Sequence, residues 1–251
     1  QRPFSASVLS VLVLLEGGMH RTCSFIAATL LLASSAHAFS SSALPCVGAR
    51  SSATSLRMSG GGAAASGKRA LCLLATGFEE MEAIAPIDLL RRAQVEVTVA
   101  SLTKELLVKG RNGMSLLADT DLDSALATSP FDAVIVPGGA PAVPANGLLQ
   151  SDARVLQLLT SQMESGRLVT AICAAPSVLA AAGVLKGKKH TAHFSVAAQV
   201  PDLDKTSAVV VDGNLITSQG AGTSTQFGLA LVANLVSQQV ADEVAASICW
   251  K

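Results

Sequence analysis

The stretch Arg167-Leu-Val-Thr-Ala-Ile-Cys-Ala-Ala-Pro-Ser-Val-Leu-Ala-Ala-Ala-Gly183 decides how this chain is read. Leu168 to Ile172 is a short apolar run suited to a buried strand, and Pro176 to Ala182 reads as a helix stopped by Gly183. Cys173 falls at the junction. A thiol at a strand-to-helix turn lies over the positive end of the helix, which favours the thiolate and presents it as a nucleophile elbow. The alternative reading is a buried core cysteine, a common fate of that residue type. Lowering a thiol pKa by ~3 units needs ~4 kcal/mol of differential stabilisation, whereas a helix terminus supplies about 0.5–2 kcal/mol. A second donor to the sulfur is therefore expected.

Working outward, strands and helices alternate. Strands are expected at Arg69–Ala75, Val95–Leu102 and Phe131–Val136, with a further short segment at Met114–Leu117. Helices are expected at Glu79–Ala93, Asp121–Ala127 and Ser151–Glu164, the last opened by a Ser151 cap. Met81, Ile84, Ile87, Leu89 and Leu90 are expected on the apolar side of the first helix. Ala208–Val211 and Leu215–Thr217 flank Asp212-Gly213-Asn214, a hairpin signal, and Ser224–Val236 and Val240–Ile248 close the chain as helices. The alternation predicts an α/β fold, a mostly parallel sheet with helices on both faces. Sites in such sheets lie beyond the carboxyl ends of the strands. Gly77-Phe78-Glu79, Pro137-Gly138-Gly139 and Cys173 all follow strands, so they are expected to meet.

Composition narrows the function. Half of the 251 residues are apolar, yet no run of 18 uninterrupted apolar residues occurs, so no membrane partner is expected for the mature form. From Arg69 to Lys251 there are 13 basic and 17 acidic residues, and aromatic side chains are scarce. That balance argues against nucleic acid as a partner. The core holds Cys72, Cys173 and Cys249, a sparse, odd set that is no disulfide framework. Acids at the first helix start, and the absence of GxGxxG, argue against a nucleotide.

The first part of the chain reads as an address. Residues 1–18 precede the first Met and are expected to be upstream sequence. Met19 to Ala38 has the basic start, short apolar core and Ala36-His37-Ala38 cleavage site of a signal peptide. Residues 39–67 open with Phe39, are rich in Ser and Ala and carry no acid, the composition of a transit peptide. Plastid delivery through a two-part leader is expected, with plain secretion as the alternative. Residues 68–251 are expected to form a single domain.

Glu82 is the candidate second donor. Glu79 and Glu80 are explained by the helix dipole, whereas Glu82 sits between Met81 and Ala83 beside the apolar face. A carboxyl held there is a candidate to stay protonated and donate to a thiolate. Gly139 and Ala174, small residues beside the thiol, are candidate backbone donors for an oxyanion.

Four motifs together resemble the DJ-1/PfpI (ThiJ) superfamily, in its DJ-1-like branch: Ala75-Thr-Gly-Phe-Glu-Glu-Met-Glu-Ala83, Val136-Pro-Gly-Gly139, Ala171-Ile-Cys-Ala-Ala-Pro176 and Thr217-Ser-Gln-Gly-Ala-Gly-Thr-Ser224. The resemblance covers about Arg69 to Ala246. It implies a flavodoxin-like sandwich, a homodimer and no cofactor or metal. It implies that Cys173 is the reactive, oxidation-prone thiol, Glu82 its protonated carboxyl partner, and Gly139 and Ala174 the oxyanion donors. The activities it implies are a glutathione-independent glyoxalase (methylglyoxal to lactate) and a protein deglycase, or a redox-sensing chaperone acting through oxidation of Cys173. The protease-like branch places His directly after the nucleophile; Ala174 stands there, against a Cys-His peptidase. Some glyoxalase members carry another His near the thiol, and the comparable region, Val200-Pro201-Asp202, has none. His190 and His193 are read as structural or surface residues.

Overall fold

The computed structural model describes residues 66–143 and 147–251. The upstream, signal and most of the transit expectations lie outside the described residues.

The elements run β1 (Arg69–Leu74), α1 (Glu80–Arg92), β2 (Glu96–Ser101), β3 (Leu107–Lys109), β4 (Ser115–Leu117), β5 (Thr120–Asp121), α2 (Leu122–Ala127), β6 (Ala133–Val136), α3 (Leu148–Ser151), α4 (Ala153–Glu164), β7 (Leu168–Ile172), α5 (Pro176–Ala181), β8 (Val209–Asp212), β9 (Leu215–Ser218), α6 (Ser224–Leu235) and α7 (Gln238–Ser247). Seven strands form one sheet in the order β5-β2-β1-β6-β7-β9-β8. Every pairing in it is parallel except β8 with β9. Strands β6 and β7 are buried at every position, as a central strand covered on both faces must be. Helix α1 packs on α6 and α6 on α7, while α4 packs on α3 and α5, giving the helix layers of an α/β sandwich. The fold class read from the sequence is the fold observed.

Two local expectations are corrected. Ser151 does not cap the long helix: it ends the single turn α3, and α4 begins after Asp152, whose carboxylate accepts the Arg154 N–H (2.9 Å). The charged Asp152 is also held by the Arg154 guanidinium, and its extended backbone breaks the helix in two. Met81 and Ile84 are exposed (57% and 44%), because α1 turns Glu82, Ala83, Pro86, Ile87, Leu89 and Leu90 inward instead. The expected short segment Met114–Leu117 is present as β4, but it pairs antiparallel with β3, a strand of three residues too short to carry a periodic signal of its own.

The topology sets the site. Strands β1, β6, β7 and β9 are consecutive neighbours, so the loops that leave their carboxyl ends converge. The turns after β1 and β6 are stitched directly: Glu79 N–H donates to Gly138 O (3.2 Å) and Ala140 N–H to Gly77 O (3.0 Å).

Candidate active site

At Cys173 the chain leaves β7 with φ of 66°, in the left-handed region. For a non-glycine residue that conformation costs on the order of 1–3 kcal/mol and persists only where its surroundings enforce it. They do so on both sides. Cys173 N–H donates to Ser218 O at the end of β9 (2.9 Å), and Cys173 O accepts the His193 N–H (2.8 Å). The Ala174 N–H is directed at the sulfur and favours its charged form. The strand–Cys–helix elbow is thus present, with α5 following at Pro176.

Glu82 reaches the same point from α1. Glu79 caps that helix by accepting the Glu82 N–H (2.9 Å). The Glu80 carboxylate faces elsewhere and accepts from Asn112 N–H (2.7 Å) and Asn112 Nδ2 (2.8 Å), tying the β3–β4 loop to the start of α1. Glu82 itself is 1% exposed, accepts the Gly138 N–H on Oε2 (2.9 Å) and hydrogen-bonds the Cys173 thiol. Gly138 must lack a side chain, since a Cβ there would lie 2.5 Å from Glu82 Oε2 and 2.7 Å from Cys173 Cβ.

The electrostatics of the pair follow from burial. Burial pushes the Glu82 carboxyl up to about 7, against the hydrogen bonds from Cys173 and Gly138. Burial also pushes the Cys173 thiol up to about 12, with the Glu82 charge adding to the rise. The Ala174 N–H at the helix start favours the thiolate but does not offset burial, in line with the need for a second donor. Desolvation outweighs the terminus, and the two groups hold at least one proton between them at neutral pH. When that proton sits on Glu82, the repulsion that raises the thiol becomes a hydrogen bond to the thiolate.

Gly139 lies one residue beyond the pair, with φ of 99°, packed against Gly77 O and Glu79 N in a place where no Cβ fits. Among the described residues its N–H has no acceptor. Cys173 is 8% exposed and sits behind Gly220, where a Cβ would lie 4.0 Å from both Sγ and Glu82 Oε1. Gly220 in turn lines a cavity of about 730 Å³ with His193, Phe194, Lys205 and Gln219. His190 is buried and structural, its ring nitrogens 2.7 Å from Lys188 O and Pro201 O. His193 belongs to the site wall, its ring against the exposed Phe194 (centroids 4.0 Å apart) and beside Gly220. Among the described residues no cluster of His, Cys, Asp or Glu is arranged to hold a metal ion.

The structure thus brings Cys173, Glu82, Gly139 and Ala174 together, and adds Gly138, His193 and Gly220, to none of which the sequence alone assigns a role at the site. The missed signal was topological: Gly220 follows β9 as Cys173 follows β7, and neighbouring parallel strands deliver their next residues to one place.

A buried cysteine–glutamate pair at the carboxyl edge of a parallel sheet defines a thiol-bearing α/β sandwich. The chain belongs to the DJ-1/PfpI family, whose model matches residues 68–234. It is 41% identical over 188 residues to Protein DJ-1alpha of Drosophila melanogaster, covering 73% of this chain and 84% of that one. It is 31% identical to Deglycase TK1284 of Thermococcus kodakarensis, over 61% of this chain and 91% of that protein. The crystal structure of Drosophila melanogaster DJ-1beta superposes with a TM-score of 0.69 at 41% identity, over 73% of this chain and 98% of that one.

Proposed function

We propose that this chain is a cofactor-independent thiol enzyme that removes reactive dicarbonyls, converting methylglyoxal to lactate or releasing glycated adducts, in protection against carbonyl and oxidative stress. The observation that carries the proposal is the Glu82–Cys173 pair, buried together and backed by the Gly138 N–H. A relative described as a deglycase supports it.

In the singly protonated pair, sulfur attacks the aldehyde carbon and forms a hemithioacetal. The Gly139 and Ala174 amides are suited to the developing alkoxide. Glu82 takes the proton from the hydroxyl-bearing carbon and returns one to the neighbouring carbon, giving a thioester of the 2-hydroxy acid. Water then cleaves the thioester and restores the thiol, so the net reaction adds one water and needs no oxidant. A homodimer is part of the proposal; the exposed Met81 and Ile84, one turn apart on α1, support it.

The test is product analysis with methylglyoxal, glyoxal and glycated amino acids, comparing the wild type with Cys173→Ser. Lactate from the wild type and none from the variant is the expected result. Equal inactivity of both overturns turnover and leaves oxidation sensing as the use of the thiol.

A further inference from the structure

Past the end of α5 the chain reads Val184-Leu-Lys-Gly-Lys-Lys-His190. This segment lines a second cavity, of about 750 Å³, into which Lys186, Lys188 and Lys189 all contribute. The only carboxylate on the same wall is Asp202.

The cluster stands out against the rest of the domain, which has more acids than bases. Six of the other basic residues, Lys68, Arg69, Arg91, Arg92, Lys104 and Arg154, each pair with a carboxylate, while Lys109, Arg111, Arg167, Lys205 and Lys251, scattered along the chain, do not. None of the three cavity lysines does so among the described residues. Lys188 Nζ meets only neutral oxygens, Asp212 O and Asn214 Oδ1, at 3.4 Å each, and the Asp212 carboxylate is engaged by the backbone N–H of Lys189 (2.7 Å). The helix dipole does not account for them, since it fades within the last turn and α5 ends at Ala181.

The walls are fixed in advance. The buried His190 ring bridges Lys188 O and Pro201 O, Asp204 N–H donates to His190 O (2.9 Å), and Thr191 Oγ1 donates to Asp204 O (2.6 Å). A preformed cavity in the range of small-molecule sites, roughly 300–1,000 Å³, needs little ordering on binding. The acid excess elsewhere disfavours a long polyanion, which would need a basic track beyond these lysines.

We propose that this cavity binds a small molecule bearing a phosphate group, held by Lys186, Lys188 and Lys189. The site is separate from Cys173 and does not depend on the thiol chemistry proposed above.

The test is calorimetric titration of the full chain with glycerol 3-phosphate and with inorganic phosphate, against sodium chloride at matched ionic strength. The wild type is compared with the Lys186→Gln/Lys189→Gln variant. Both lysines are exposed, so an unchanged melting temperature verifies that the variant folds. Saturable binding of one phosphate equivalent per chain is expected, weakened about tenfold or more in the variant, the scale of losing charge-assisted bonds. Tighter binding of the ester identifies an organic phosphate as occupant, and equal binding identifies free phosphate. Heats matched by chloride, or a variant that binds as the wild type does, overturn the proposal.

Discussion

Glu82 and Cys173 compete for a proton in a place where neither can be charged without loss. The pair loses its protons in two steps. The first proton leaves near the raised Glu82 value of about 7. Alkylation of Cys173 by iodoacetamide is therefore expected to rise with a midpoint near pH 7. In Glu82→Gln the carboxyl that titrates near 7 is gone while burial of the thiol remains, so the rise of reactivity around pH 7 is expected to vanish from the rate profile. A rate profile identical in the two proteins would remove Glu82 from this role. Stability carries the same signature. The folded carboxyl titrates near 7 and an unperturbed one at 4.5, so between these values the folded state holds more protons than the unfolded. The stabilisation is complete below about pH 4.5 and lost as pH rises through 7, a swing of about 3 kcal/mol. Glu82→Gln lacks the penalty, so its melting temperature relative to the wild type is expected to climb from pH 4.5 to 7. A constant difference would contradict the assignment.

Among the elements, α1 carries the acid and its position is set by α6. Gly228 on α6 is the contact point, where a Cβ would lie 2.6 Å from Leu89 Cδ1 and 3.1 Å from Pro86 Cα. Gly228→Val is expected to lower stability by ~1–3 kcal/mol through overpacking, and to slow Cys173 alkylation by displacing α1. Unchanged thermal unfolding would show that the helices yield without strain. This scale also explains what the sequence revealed. Buried strands such as Leu168–Ile172 were legible because their apolar runs have one physical meaning in a chain that alternates strands and helices. Met81 and Ile84 misled because a helix with apolar residues around much of its circumference does not declare which arc faces the core. Glu82 was legible only as an acid out of place, and the pairing with Gly138 came from strand order, which no local pattern encodes.

For the molecule as a whole, the sequence announced an acid-rich domain without a basic stripe, and the structure localises its exceptions. One is the lysine cluster beyond α5. Another is the apolar pair Met81 and Ile84, left uncovered on the helix that supplies Glu82. If a second copy covers it, Met81→Glu/Ile84→Glu is expected to halve the mass seen by sedimentation equilibrium, with the monomer still folded. An unaltered mass places the contact elsewhere.

The late hairpin has one further consequence. Its turn residue Asn214 holds the start of β7, through Val169 N–H to Asn214 O (2.9 Å), while Ser218 O holds Cys173 at the other end. The hairpin is thus a ruler laid along the nucleophile's strand, zeroed at the turn and read at the sulfur. Four residues of extended chain span ~13 Å, so a length error of one residue at the turn would be transmitted undiminished to the elbow. Gly213 and Asn214, far from any chemistry, therefore govern where the reactive atom stands.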